Sequence, residues 1–233
     1  DSLMAVYAGK YMVREQFGSR TKLSKDRYPE LDKTLEEEYI NELGLGILSQ
    51  TVHGAANADI RKTYTKNATS QSCELHAMKG LYDNITLLYG RLPSGKIEDG
   101  TIEVIVSRTT EKVMDVFLDD ELELEIDGGS YTNATKIKIV GVFQYKDNSN
   151  AFWYFSLSEL DKAFFMDFDL FESELINADK NLVSKIDWNY SLDYTDITYG
   201  NIYTVLRTLN SQALEFSKES RFYDIPSIDI LQE

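Results

Sequence analysis

Cysteine, histidine and proline are almost missing from this 233-residue chain, which holds one, two and three of them respectively. With Cys73 alone no intrachain disulfide can form, and a single thiol neither identifies an oxidising compartment nor excludes one. His53 and His76 come without a His-Glu-x-x-His motif or a cysteine pair, so a zinc site has too few of its usual ligands. Each histidine is read as an ordinary strand or surface residue. Three prolines and no Pro-rich linker exclude a hinged multidomain string. No apolar run approaches the ~20 residues of a membrane helix. The densest patches, Ala151 to Phe155 and Ala163 to Phe168, are short, and the second contains Asp167. The chain as given therefore reads as soluble. It begins at Asp1 without a methionine or a signal-peptide pattern, and is expected to be an excised or processed piece of something longer.

Positive charge is also scarce. Asp and Glu number 39 against 24 Lys and Arg, a formal charge of -15. Phosphates would be repelled over most of such a surface, which argues against a nucleic-acid partner and against anionic lipid headgroups. Solubility is the plain role of this charge, and attraction of a cationic peptide is the sharper one.

What is present is a mixture of helical and strand periodicities. Leu31, Leu35, Tyr39 and Leu43 recur every four residues through Tyr28 to Leu43 while Glu36, Glu37, Glu38 and Glu42 take the other face, predicting an amphipathic helix with Pro29 in its first turn. Gly44 and Gly46 end it, and Ile47 to Arg61 reads as a strand that bends at Gly54-Ala55-Ala56. Cys73 to Lys79 reads as a strand, and Leu81 to Tyr89 as a short helix leading into a Gly90 turn. Ile102 to Val106 is a buried strand by its β-branched majority, and Ser107 caps a helix through about Val116. Glu121 to Ile126 alternates strictly, with Leu122, Leu124 and Ile126 on one face. Asp127-Gly128-Gly129 reverses the chain into Thr135 to Tyr145, where Ile137, Ile139 and Val142 face inward. Phe152 to Phe155 predicts a strand, and Ser156-Leu157-Ser158-Glu159 a capping box opening a helix through Met166. Leu182 to Tyr194 predicts a further strand. Last comes a helix over Tyr199 to Lys218, with Ile202, Val205, Leu206, Leu209, Ala213 and Phe216 on one stripe.

Catalytic signatures are few. No Gly-x-Ser-x-Gly elbow occurs, and Gly44-Leu45-Gly46 is followed by Ser49 where a dinucleotide fingerprint needs its third glycine. Asp167-Phe168-Asp169 looks like the start of a calcium loop, but Phe171 takes the next ligand position and Glu172 the glycine position. Tyr190, Tyr194 and Tyr199 form the nearest thing to a recognition patch, although tyrosine is as readily a half-buried strand residue. The sequons at Asn67, Asn84, Asn133 and Asn189 matter only in a eukaryotic secretory setting.

The stretch from Gly90 to Phe143 carries the most information. Gly90-Arg91 precedes Glu103-Val104-Ile105-Val106-Ser107 and a helix, then Asp120-Glu121-Leu122-Glu123-Leu124, and closes on Val140-Gly141-Val142-Phe143. In order and spacing this resembles the extracytoplasmic domain of the ABC transporter permeases called MacB-like or FtsX-like, over about a quarter of the chain. Where that family commonly has Val-Gly-Asp, this chain has Leu118-Asp119-Asp120. The resemblance implies an α+β fold in which residues 1–89 and 151–233 form one discontinuous mixed lobe and residues 90–150 an inserted, smaller β-rich lobe.

It also implies a non-catalytic domain on the extracellular side of a cell membrane, spliced between two membrane helices, with both of its ends returning to the same side. Its partners would be a cytoplasmic ABC ATPase reached through membrane segments outside this chain, a second permease subunit, and a lipoprotein, peptide or drug. No catalytic, cofactor-binding or metal-ligating residue is expected, and the isolated domain is expected to be monomeric. Two other classes stay open. One is a secreted peptide- or carbohydrate-binding module, which the acidic surface and tyrosines would suit. The other is a carboxylate-dependent glycoside hydrolase, which needs two facing acids ~5–10 Å apart.

Overall fold

The computed structural model describes residues 9–16, 27–63, 69–126, 131–146, 152–153, 156–178, 182–218 and 222–224. They form an α+β protein divided into two compact units, the first of residues 1–52, 149–154 and 185–233, the second of residues 53–148 and 155–184.

In the first unit the strand order is β11 (Phe222–Asp224), β1 (Gly9–Gln16), β10 (Lys185–Leu192), with β2 (Ile47–Lys62) next in line. β1 lies antiparallel to both β10 and β11, so strands from near the two ends of the chain are hydrogen-bonded neighbours, with Arg14 opposite Asp224 and Glu15 opposite Phe222. The predicted Tyr28 to Leu43 helix is found as α1 (Arg27–Thr34), a π turn over Leu35–Tyr39 and α2 (Ile40–Leu43). The wider turn changes which residues point inward: Leu35 and Ile40, five positions apart, are both buried, and Tyr39 is only half-buried. Gly44 then stops the helix with φ 65°, a left-handed cap that glycine reaches without strain. Against α2 packs α5 (Ile202–Ser217), where Val205, Leu209 and Phe216 are buried as expected and Leu206 is exposed. The stripe also buries a polar residue, Gln212, whose Nε2 donates to the Tyr39 carbonyl at 3.0 Å.

In the second unit the order is β2, β3 (Gln71–Met78), β9 (Ala163–Phe165), β6 (Thr101–Ser107), β8 (Lys136–Tyr145), β4 (Ile85–Gly90). Two short strands join from the side: β5 (Ile97–Glu98) on β6, and β7 (Glu121–Ile126) on both β2 and β8. β3 with β9 and β6 with β8 run parallel, the latter joined through α3 (Arg108–Val113). Ser107 caps α3 as predicted, its Oγ accepting from Thr110 N at 3.0 Å, but the helix ends at Val113. On β7, Leu122, Leu124 and Ile126 are buried, as are Ile137, Ile139 and Val142 on β8. The Asp127-Gly128-Gly129 reversal lies outside the described residues.

Three local expectations are corrected. Leu81 to Tyr89 is a 3-10 turn over Leu81–Asn84 followed by β4, because Gly80 at φ 84° opens it tightly and the chain then pairs with β8. The Ser156 capping box opens only a 3-10 turn, Leu157–Leu160. The Ser156 hydroxyl pairs with that of Ser158 at 2.8 Å rather than capping, and Ala163-Phe164-Phe165 is taken up as a central strand buried on both faces. Phe152 and Trp153 are not in a strand but meet edge to face at 4.8 Å, and Tyr154 and Phe155 lie outside the described residues.

β4 meets β8 through two glycines. A Cβ on Gly90, which has φ 83°, would fall 2.3 Å from the Val140 carbonyl oxygen and 2.7 Å from Gly141 Cα. One on Gly141 would fall 2.4 Å from the Arg91 carbonyl oxygen. Gly90→Ala and Gly141→Ala should each lower stability by about 2–4 kcal/mol, read as the urea midpoint. Gly100→Ala is the control: its φ of 70° strains any Cβ, but nothing lies within 4 Å. It should cost only about 1–2 kcal/mol.

Candidate functional site

The residues of the Gly90 to Phe143 pattern come together in the second unit. Immediately after Gly90, Arg91 N donates to the Val140 carbonyl at 2.8 Å. Its guanidinium grips Glu103 on β6 in two-pronged fashion, with Nη1 on Oε2 at 2.7 Å and Nη2 on Oε1, while Ser94 N donates to Oε2 at 2.8 Å. These donors, the arginine first, pull the Glu103 carboxyl down from 4.5 to about 2. Asp119 stands where the resembled family turns on glycine, and it takes the glycine conformation, φ 68°. Aspartate is among the few residues that enter this region readily. The turn is held by Asp119 N on the Ile139 carbonyl at 2.8 Å and by Phe117 N on Asp120 Oδ2 at 2.9 Å.

Beside this assembly is an open cleft of about 560 Å³, lined by Asp59, Arg61, Ser70, Glu123, Glu125 and Lys136 among others. Its floor is the outward face of β2, β7 and β8, where the ladder sets charges in rows. Arg61 stands opposite Glu123 and donates from Nε at 2.7 Å. Lys136 stands opposite Glu123 on the other side and reaches Glu121 at 2.7 Å. The next row breaks the pattern, because Asp59 faces Glu125. Like charges in direct opposition weaken a strand pair.

The other candidates resolve by position. Tyr190 is fully buried, its hydroxyl pushed up by burial and then by Asp32 and Glu36, so it leaves the expected tyrosine patch. β10 turns it inward together with Trp188, which stacks on Tyr28 at 5.9 Å and donates to Asp32 at 2.9 Å. Tyr199 is completely exposed and is joined on α5 by Tyr203 at 83 % exposure, while the side chain of Tyr194 lies outside the described residues. Asp167 spends its carboxylate capping α4 (Phe168–Phe171), accepting from Asp169 N at 3.1 Å and Leu170 N at 3.2 Å. The Cys73 thiol is buried, and desolvation pushes it up to about 12, out of nucleophilic range. Asn189 of the fourth sequon is buried, so the folded chain cannot present it for glycosylation. His53 and His76 are strand residues, on β2 and β3, the first of the two expected alternatives; both are buried, and their nitrogens meet at 2.6 Å. The signal for this was the small-residue run Gly54-Ala55-Ala56 beside His53, which marks a strand packed closely on both faces. Among the described residues no group of three or more His, Cys, Asp or Glu is placed to hold a metal ion.

No protein-family model matches the sequence, and no curated protein matches it. Solved structures do. The chain is similar to a domain assigned to a permease protein of Porphyromonas gingivalis, with 13 % identity, a TM-score of 0.45, and coverage of 98 % of this chain and 92 % of that one. It is also similar to the extracellular domain of the noncanonic ABC-type transporter YknZ from Gram-positive bacteria, with 12 % identity, a TM-score of 0.42, and coverage of 91 % of this chain and 97 % of that one.

Two measurements check this geometry. Glu103 titrates lower in the folded chain than in the unfolded one, so its contribution is present above pH 4.5 and is lost as pH falls towards about 2. Glu103→Gln should therefore lower the urea midpoint at neutral pH, with the gap to wild type closing through that acid window. Glu125→Arg would turn the Asp59 row into an opposite-charge pair and should raise stability by about 0.5 kcal/mol, read by the same titration.

Proposed function

We propose that this chain is the extracellular domain of an ABC transporter permease of the MacB-like or FtsX-like kind. It couples ATP-driven movement of membrane helices to the handling or export of a lipoprotein, peptide or drug outside the membrane. The observation that carries this reading is the pairing of β1 with β11, since a domain spliced between two membrane helices must be entered and left at one place. The sequence pattern supports it: Gly90 and Gly141 pack on each other, and Asp119 adopts the backbone of the glycine it replaces.

In this role the domain works mechanically and assigns no reactive side chain. ATP is hydrolysed by a separate cytoplasmic subunit, and a second permease subunit completes the transporter. The intact gene tests the proposal. Its product, expressed with the neighbouring ATPase, should fractionate with membranes and copurify with that ATPase in detergent. A product that stays out of the membrane fraction, from a gene without apolar spans flanking this segment, would sink the reading.

A further inference from the structure

The outward side of α5 is itself apolar. Tyr203, Leu206 and Leu214 are 83, 38 and 60 % exposed, and Tyr199, just before the helix, is completely so. At about 100° of turn per residue, Tyr203, Asn210 and Leu214 fall on one narrow stripe, with Leu206 on one flank of it and Arg207 on the other. The stripe lies opposite Val205, Leu209 and Phe216, which pack inward. Within α5 the charged side chains are Arg207 in the first half and Glu215 in the last turn, with Lys218 at the C-terminal cap.

Charge makes the two ends of the stripe unlike. At the Leu214 end Tyr39 Oη donates to Glu215 Oε2 at 2.7 Å, and Gln212 Nε2 donates to Glu42 Oε2 at 3.2 Å. The Tyr39 hydroxyl is pushed up to about 12 by burial first, then by Glu215, Glu38 and Glu42, so α2 and the preceding π turn add two carboxylates beside Glu215. The Tyr203 end carries Arg207 and no acid of α5. An anionic lipid surface would be repelled by the three carboxylates. A second copy of the same face, turned antiparallel, instead meets opposite charge at both ends. Arg207 and Glu215 lie on the same flank of the stripe, and in a pair of antiparallel helices related by a two-fold axis like flanks face each other.

We propose that the outer face of α5 is an interface between two copies of this chain, packed antiparallel about a two-fold axis at Asn210. Asn210 is midway between Leu206 and Leu214, so Tyr203 and Leu206 of each copy cover Leu214 of the other while the two Asn210 amides meet at the axis. Arg207 of each copy comes to Glu215 of the other, and Lys218 to the ring of Tyr203. Two helices about 24 Å long give a contact at the small end of specific interfaces, about 1,200 Å² in total, which suits micromolar affinity. The dimer takes the place of the monomer expected from the sequence, and the inference does not depend on the transporter reading.

Sedimentation of the whole chain from about 5 to about 500 µM tests it, and should show a reversible monomer–dimer equilibrium. Leu214→Ser, at an exposed position, should weaken the dimer about tenfold or more and leave the urea midpoint of the monomer unchanged. Arg207→Glu should weaken it by a similar factor, while Arg207→Lys, which keeps the charge, should change it less than about threefold. Cross-linking reads the orientation. Cys73 is buried, so Asn210→Cys supplies the one accessible thiol and should join two copies under mild oxidation. Tyr203→Cys would stand about 20 Å from its counterpart and should not cross-link. A chain that stays monomeric at about 500 µM, a dimer indifferent to Leu214→Ser and Arg207→Glu, or a cross-link through position 203 in place of 210 would each overturn the proposal.

Discussion

The second unit depends on the contact of two glycines. β4 reaches β8 only because neither Gly90 nor Gly141 carries a Cβ, and the approach lets Arg91 N bond the Val140 carbonyl across it. That bond aims the arginine at Glu103 on β6, two strands away from β4, so one main-chain contact fixes a side-chain clamp across three strands. Leu118, which a Cβ on Gly90 would meet at 2.8 Å, closes over the same spot and leads into the left-handed Asp119 turn. Residues that look like separate short motifs along the sequence are therefore one packed assembly. Their order and spacing carry information that no single motif does, because each position is constrained by the others.

Segments whose side chains follow one period were legible. β7 read correctly because a strand with one wet face imposes strict alternation, as Leu122, Leu124 and Ile126 show, and β8 because Ile137 and Ile139 begin the same alternation before 139–143 are buried on both faces. α5 read correctly because its buried residues repeat at helical spacing, although Gln212 on the stripe was invisible as a core residue until its bond to the Tyr39 carbonyl was seen. β9 failed because Ala163-Phe164-Phe165 is buried on both faces, and an apolar run without alternation has no period to separate strand from helix. The π turn at Leu35–Tyr39 shifted burial from Tyr39 to Ile40 for a related reason: a five-residue step lies outside a four-residue template. β1 was missed altogether, since its strand state is set by pairing with β10 and β11, strands distant in sequence.

Of the candidate positions, Arg91, Glu103 and Asp119 stood in the sequence pattern without their contacts being legible, while the cleft and the histidine pair were not visible at all. Both of the latter arise from register. Asp59 meets Glu125 and His53 lies diagonally from His76 only once β2 is paired on both sides, and a one-residue slip would undo either. Charge composition alone could not separate them, because a large acidic excess predicts exposed carboxylates everywhere and marks none.

The acidic excess nonetheless acquires a structural meaning on the β2–β7–β8 face. Lysine and arginine, the scarcer charges, are spent there in rows opposite glutamates: Arg61 with Glu123, Lys136 with Glu121 and Glu123, Lys138 opposite Glu121. Among the described residues, the row in which the strand register pairs two acids is Asp59 with Glu125, towards the end of β7 and beyond its pairing with β8. An isolated exposed row of this kind weakens the ladder by tenths of a kcal/mol rather than breaking it, about the amount that one cross-strand pair contributes. A buried row could not be left so. At His53 and His76, diagonal neighbours on the same ladder, the two titratable rings are buried and their nitrogens lie 2.6 Å apart.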